Sequence, residues 1–266
     1  MPAREETRHR FVKRQFAEQY SHLEQWHWWF RGRQRILAAL LRCELAGRRS
    51  LSIASLGCGP AEGLTWLKPM AGPHGRVVGL DADPLHARRL EPSLEYVIGR
   101  CEAVPFATGS FDLVLALDVL EHLDDDAAGL REAVRLLKPD GFLLVTVPAL
   151  PSLWGRQDII SQHRRRYTKR TLRQAFARAQ LPHPRIRYFN SLLFLQVAAV
   201  RWVRSALGLS YRPRSDFDNN HPGLMNEILE KVFSIERHLV YRVPMPVGVS
   251  LLATVRLGEN ESAPRD

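Results

Sequence analysis

Cysteine is scarce in this sequence: there are three in 266 residues, Cys43, Cys58 and Cys101. None forms a CxxC pair or lies beside a histidine at metal-ligand spacing, so neither a disulfide framework nor a zinc site is expected, and no metal is assigned. Such usage fits a reducing cytoplasm. Long apolar runs are missing too. No stretch of roughly 18 uncharged apolar residues is there to span a bilayer, and the opening MPAREETRHRFVKRQF is too charged for the apolar core of a signal peptide. Acidic residues are the minority, 28 against 38 Lys and Arg, for a formal net charge of +10. That balance points to anionic partners (nucleic acid, phospholipid headgroups or phosphorylated substrates) without choosing among them. There is no internal repeat. What remains, 45% hydrophobic and 25% charged residues, is a folding composition long enough for one α/β domain with an elaboration.

Phe11 to about Leu45 has helical spacing, with Ile36, Leu37, Leu40 and Leu41 on one face. Alternation then begins. Leu51–Leu56, Arg76–Leu80, Leu94–Ile98, Phe111–Leu117 and Phe142–Val147 read as strands, separated by helical stretches at 64–70, 84–90 and 127–137. Near-continuously apolar strands alternating with helices predict a Rossmann-like, mostly parallel sheet covered on both faces. Right-handed crossovers then put the strand C-termini on one rim, where such sheets bind ligands. Thr168 is a cap for a helix over 169–180, and Arg185–Phe189 and Gly248–Leu257 complete a seven-stranded sheet. Between those last two strands lies a helical insertion with stretches at 191–207 and 224–242, joined by a polar loop at 210–222. The expected organisation is an N-terminal helical and aromatic segment (1–48), the α/β core (49–190 and 248–258), a helical cap (191–247) and a tail (259–266).

The first strand runs into Gly57-Cys58-Gly59. Glycines there let the backbone turn sharply and approach a ligand, and the next helix offers unpaired N–H groups. Asp81 ends the second strand, where a carboxylate can accept both hydroxyls of a ribose; Asp83 can cap the segment beginning at Pro84 in its place. A dinucleotide-dependent hydride transfer is disfavoured, because the third glycine of that fingerprint is replaced by Glu62, which would set negative charge against a pyrophosphate.

SLGCGPAEG, VVGLDADP, EAVPFATGSFDLVLALDVLEHL and LKPDGFLLVTVP occur in this order, spanning most of Ser55–Pro148. Together they resemble the class I S-adenosylmethionine (SAM)-dependent methyltransferases, in their type 11 branch. The resemblance implies SAM as cofactor and a site at Ser55, Gly57, Cys58, Gly59, Asp81, Ala82, Cys101, Glu102, Leu117, Asp118 and Val119. In it the glycine loop meets the methionine moiety, Asp81 the ribose, the segment 100–103 the adenine, and 117–119 the amino group and sulfonium. Three positions depart from the pattern: Ser55 replaces an acid, Ala61 a third glycine, and Arg100 an adenine-binding Asp, and an arginine cannot accept a hydrogen bond.

Methyl transfer needs alignment and exclusion of water more than an invariant catalytic group. For a hydroxyl acceptor a base helps, and His122 and His163 are the candidates. Substrate contacts are expected from Trp29, within the aromatic run Trp26-His27-Trp28-Trp29-Phe30, and from Arg164, Arg165, Arg166 and Tyr167, which precede a helix N-terminus suited to an anion. In the insertion, Leu224, Ile228, Val232, Ile235 and Leu239 make an apolar face opposite Glu227, Glu230, Lys231, Ser234 and Arg237. The two insertion helices are expected to pair into a cap over the rim or to lie in a membrane interface. The expected activity is methyl transfer to a small-molecule or lipid-linked acceptor, in the cytoplasm or peripherally at the inner face of an anionic membrane. Nucleic acid is not the expected partner. An RNA-modifying methyltransferase and a noncatalytic SAM-binding or partner-binding protein are the alternatives.

Overall fold

The computed structural model describes residues 22–87, 94–207, 222–240 and 242–258. Its centre is a sheet of β1 (Ser52–Leu56), β2 (Arg76–Asp81), β3 (Glu95–Ile98), β4 (Phe111–Leu117), β5 (Leu137–Pro148), β6 (Arg185–Phe189) and β7 (Ser250–Arg256). The spatial order is β3-β2-β1-β4-β5-β7-β6. The first five strands run parallel, and β7 lies antiparallel between β5 and β6. This is the expected Rossmann-like sheet with its insertion between adjacent antiparallel strands. The order reverses at β1, which has β2 on one side and β4 on the other, so a crevice opens where β1 and β4 end.

The helices are α1 (Trp28–Glu44), α2 (Lys68–Ala71), α3 (Asp126–Arg135), α4 (Arg156–Ile160), α5 (Lys169–Arg178), α6 (Phe194–Ala206) and α7 (Leu224–Ile235). On one sheet face Leu130, Ala133, Leu172 and Phe176 of α3 and α5 pack on Val114 and Val145. On the other, Ile36, Leu37, Leu40 and Leu41 of α1 pack on Leu113, Leu115 and Leu144. Apolar cover on both sides explains why β4, apart from Asp112, reads as an apolar run instead of an alternation. Thr168 caps α5, its hydroxyl accepting from Thr171 N at 3.1 Å.

Local details differ from the sequence expectation. The N-terminal helix is not continuous: His27 adopts extended backbone and caps a fresh start, its ring accepting from Trp29 N at 3.2 Å. Residues 11–21 of that expected helix lie outside the described residues. The segment after β1 is a 3-10 turn, Ala61–Leu67, leading into the short α2, and the one after β2 is a 3-10 turn over Pro84–Ala87; 88–90 lie outside the description. β5 begins at Leu137, five residues before the expected start, because Leu137 already pairs with Phe111 across a register shift. Most of the polar loop at 210–222 is likewise outside the description.

The insertion holds the largest correction. α7 does not bury the apolar face expected of it. Asn226, Glu230, Phe233 and Ser234 are buried, whereas Leu224, Met225, Ile228 and Ile235 are exposed. The reason lies in its neighbour. α7 packs on α1, and the outer stripe of α1 carries Arg31 and Arg35, which pair with Glu230 at 3.3 and 2.6 Å. Asn226 completes the N-terminus of α1 by accepting from Trp28 N at 2.9 Å and donating to Trp26 O at 2.8 Å. Gly32 lets the helices close, since a Cβ there would lie 2.5 Å from Phe233 Cδ1. The two insertion helices therefore separate in role: α7 is a polar-faced buttress on α1, and α6 packs against the Pro151–Leu153 turn at the ligand rim.

Candidate active site

A cavity of ≈ 1190 Å³ opens along the rim. Its floor is the ends of β1, β2 and β4, and its walls come from α1, from residues 148–166 and from α6. All eleven residues expected at the cofactor line it: Ser55, Gly57, Cys58, Gly59, Asp81, Ala82, Cys101, Glu102, Leu117, Asp118 and Val119.

At one end Gly57 and Gly59 hold φ of +57° and +65°, left-handed backbone that other residues rarely adopt. A Cβ on Gly57 would also lie 2.7 Å from Val119 Cγ2, so the loop and the β4 end are fitted to each other. Asp81 locks this end: its carboxylate accepts from Gly59 N (2.9 Å), Asp83 N (2.9 Å) and His86 Nδ1 (3.1 Å). Burial alone would raise the Asp81 pKa, but these hydrogen bonds outweigh it and hold the carboxyl below its ordinary range. Asp83 takes the capping role, accepting from Leu85 N at 3.0 Å. Burial and the Asp81 charge push the Cys58 thiol well up, and burial pushes Cys101 up to about 12, so neither is a thiolate nucleophile at neutral pH.

The three departures from the family pattern resolve differently. Ala61 is fully buried and does not line the cavity, so its methyl takes no ligand space. Ser55 is buried at the end of β1 on the cavity wall. Arg100 turns outward, its side chain 72% exposed and paired with Glu102 at 3.0 Å. Both Arg100 and Glu102 line this wall of the cavity.

One contributor stands outside the expected set. Asp118, at φ +56°, pairs with Arg33 of α1 at 3.1 Å. Thr146 of β5 donates to Asp118 at 3.1 Å and accepts from Arg33 at 3.2 Å. The Arg33 guanidinium stacks on Trp29 at 4.8 Å, and its Nε is buried without a hydrogen-bond partner. Sequence reading placed Trp29 with the substrate and passed over Arg33, because nothing local links a helix before the sheet to the end of β4.

At the other end stand His122 and His163, their ring centroids 4.8 Å apart. His122 is solvent-exposed along the cavity; partial desolvation there, then its neighbour His163, lowers its imidazole pKa below the ordinary histidine value. Asp158 of α4 accepts from His163 Nδ1 at 2.9 Å and from Arg166 Nε at 2.7 Å. Its other oxygen accepts from Gly155 N at 2.8 Å and faces Arg201 of α6 at 3.4 Å. Burial opposes ionisation of Asp158, but the hydrogen bond from His163 and the charges of Arg166 and Arg201 bring its pKa down to about 2. Asp158 had no sequence signal, since an acid five residues before a histidine is ordinary on a surface helix.

The expected anion site does not assemble. Arg165 is spent on Leu123 O, Asp124 O and Asp126, and Tyr167 is buried with its hydroxyl on Leu120 O and Asp126. Neither lines the cavity. Arg166 is buried against Asp158 and Ala149 O. Arg164 reaches the rim, but donates to His122 O at 2.9 Å and pairs with Asp124 at 2.5 Å. Arg164 and Arg165 staple the 163–167 segment to the loop after β4, which presents carbonyls and acids at their reach, and Arg166 ties it to α4.

Residues 54–145 match a family model described as a methyltransferase domain, in agreement with the resemblance read from the motifs. Among curated relatives, a probable S-adenosylmethionine-dependent methyltransferase of Mycolicibacterium smegmatis is 33% identical over 125 residues, 46% of this chain and 46% of that protein. A demethylmenaquinone methyltransferase of Lactococcus lactis is 32% identical over 111 residues, 39% and 44% of the two chains. A ubiquinone biosynthesis O-methyltransferase of Cereibacter sphaeroides is 35% identical over 101 residues, 35% and 40%. The chain spans less than half the length of these relatives. The fold recurs in a chain of the complex between the Haloferax volcanii Trm112 methyltransferase activator and a methyltransferase, at TM-score 0.56 and 20% identity over 94% of this chain and 96% of that one. It recurs in a SAM-dependent methyltransferase of Thermotoga maritima, at TM-score 0.54 and 14% identity over 92% and 98%.

Proposed function

We propose that this chain, whose residues 54–145 match a methyltransferase domain, transfers a methyl group from SAM to a hydroxyl of a small, largely apolar acceptor drawn from an anionic membrane surface. The observation that carries the reading is the two-ended cavity. An anionic, glycine-lined cradle sits at one end, and at the other a chamber with two histidines, walled by apolar Leu193 and Val197 and by polar Gln157 and Arg201.

The cradle fits the cofactor. The Asp81 carboxylate is ionised and set to accept from a ribose, Glu102 is an acceptor for the adenine amino group, and Asp118 faces the methionine amino group. Arg33, its Nε buried and lacking a hydrogen-bond partner, answers the methionine carboxylate. Bound there, SAM supplies a methyl on a sulfonium, an electrophile displaced in line. The chain's own residues do the rest. Trp29 and Val197 line the chamber and would help hold an acceptor in place. An acceptor hydroxyl would lie against the group formed by Glu121, His122 and His163, which would ease the loss of its proton as the methyl passes from the sulfonium to its oxygen. Relatives that act on quinone precursors by name are in keeping with such an acceptor.

The membrane side of the reading rests on α6. The helix that lines the cavity through Val197 and Val200 also exposes Leu195 (75%), Trp202, Val203 and Leu207. Trp202 donates to Ser152 O at 3.3 Å, beside the exposed Trp154. An apolar strip continuous with the cavity mouth, on a chain of net charge +10, suits docking on anionic lipid. Among the described residues no helix is long and apolar enough to cross a membrane.

Calorimetry tests the core of the reading. SAM should bind the wild type, and Asp81→Ala should weaken it by about 1.5–3 kcal/mol, the loss of a charged hydrogen-bond acceptor. A wild type that binds no SAM removes the proposed activity. Flotation with anionic and neutral vesicles tests the docking: binding should need anionic lipid and weaken with salt. No flotation with either vesicle removes the membrane and leaves the methyl transfer.

A further inference from the structure

The acceptor end holds a feature that proton acceptance by histidine does not explain. Glu121 is fully buried, and neither carboxylate oxygen has a hydrogen-bond partner. An orphaned buried carboxylate is costly unless it takes up a proton or a cation compensates it. Among the described residues the imidazole closest to it is His163, with Nε2 4.0 Å from Glu121 Oε1.

We propose that Glu121, His122 and His163 form a binding site for a divalent transition-metal ion of the zinc or iron(II) class. One ligand atom from each lies within 4.8 Å of the others. Ligands around such an ion stand about 3.3 Å apart when metal–ligand bonds are about 2.0–2.1 Å, so small side-chain rotations close the site. Two imidazoles and one carboxylate are the donor set these ions take when coordination positions stay open. The second sphere is in place: His163 Nδ1 is held by Asp158 at 2.9 Å, which turns Nε2 toward Glu121, and Asp158 is itself fixed by Arg166 and Gly155 N. The backbone couples the two ligand segments, since Arg164 N donates to Glu121 O at 2.8 Å. All three ligands line the cavity, which supplies the entry path and an open face toward the acceptor chamber. The inference rests on the reading of that chamber as the acceptor site, and an acceptor oxygen is the ligand the open face would take.

The test uses untagged, chelator-treated full-length protein, titrated with cobalt(II) and followed by visible absorption, and then with zinc(II) by calorimetry. One equivalent of each should bind the wild type and raise its melting temperature. Glu121→Gln and His163→Gln, both near-isosteric, should weaken binding at least tenfold, whereas His183→Ala, on the exposed surface, should bind as the wild type does. If a variant does not fold, His122→Asn, at the exposed third ligand, provides a second route, with the same expected loss of at least tenfold. Absence of cobalt d–d bands and zinc heat in the wild type, or equal affinity in the Glu121 and His163 variants, overturns the site. SAM calorimetry on the same metal-free protein separates the two readings: SAM binding without metal binding sinks this inference alone.

Discussion

The two ends of the cavity are built in opposite ways. The cofactor end comes mostly from short loops that follow β1, β2, β3 and β4, and its central contact, Gly59 N to Asp81, joins residues 22 apart in the chain. The acceptor end is assembled by side chains from remote segments. Arg201 of α6 and His163 meet on Asp158, and Asn226 of the insertion caps α1 across 198 residues. Backbone geometry fixes most of the first end, with Arg33 of α1 reaching in to pair with Asp118, and buried ion pairs fix the second. Substitutions should therefore act differently: ligand affinity suffers at the cofactor end, and stability at the other.

Removing the hub of the acceptor end should give the largest effect. Asp158→Ala strips the buried Arg166 of its carboxylate, and such a break costs about 3–5 kcal/mol. Denaturant unfolding should show this loss, while SAM affinity of the folded protein stays within about twofold. A large fall in SAM affinity would show that the two ends are coupled.

A pH effect should follow from His27 on α1. Burial holds its imidazole down at about 4, against an ordinary 6.5, and the neutral ring accepts from Trp29 N. The unfolded chain takes up this proton first, so the contribution is complete above pH 6.5 and is lost as pH falls toward 4. The loss can reach roughly 3 kcal/mol. Unfolding free energies between pH 7 and 4.5 should show that slope, and His27→Gln should flatten it. An unchanged slope in the variant would assign it to other groups.

The smallest effect tests the inverted helix. Ile228→Ser on the exposed face of α7 should move stability by no more than about 0.5 kcal/mol. Thermal unfolding that instead reports a core-sized loss would mean that this face is covered in solution.

Legibility tracked the same division. β1, β2 and β4 were readable because apolar runs ending in Gly57 or Asp81 carry their signal within a few residues. All the expected cofactor positions consequently fall on the cavity wall. Arg165 and Tyr167 were misplaced because a charge run says nothing of which carbonyls it will meet. The face of α7 was misread for a related cause: apolar spacing predicts the inner face only when the neighbouring surface is apolar, and the stripe of α1 beneath it carries Arg31 and Arg35.

The sequence by itself determined the parallel core, the glycine cradle with its acid at Asp81, and the place of the insertion between β6 and β7. Those features depend on contacts and conformations local to each strand and turn. Only the tertiary structure decided that Arg33 would stand against Asp118, that Asp158 would hold His163, and that Glu121 would be buried with both oxygens bare. Each of these joins side chains whose separation is set by the packing of whole helices on the sheet, a distance that no local pattern of residues encodes.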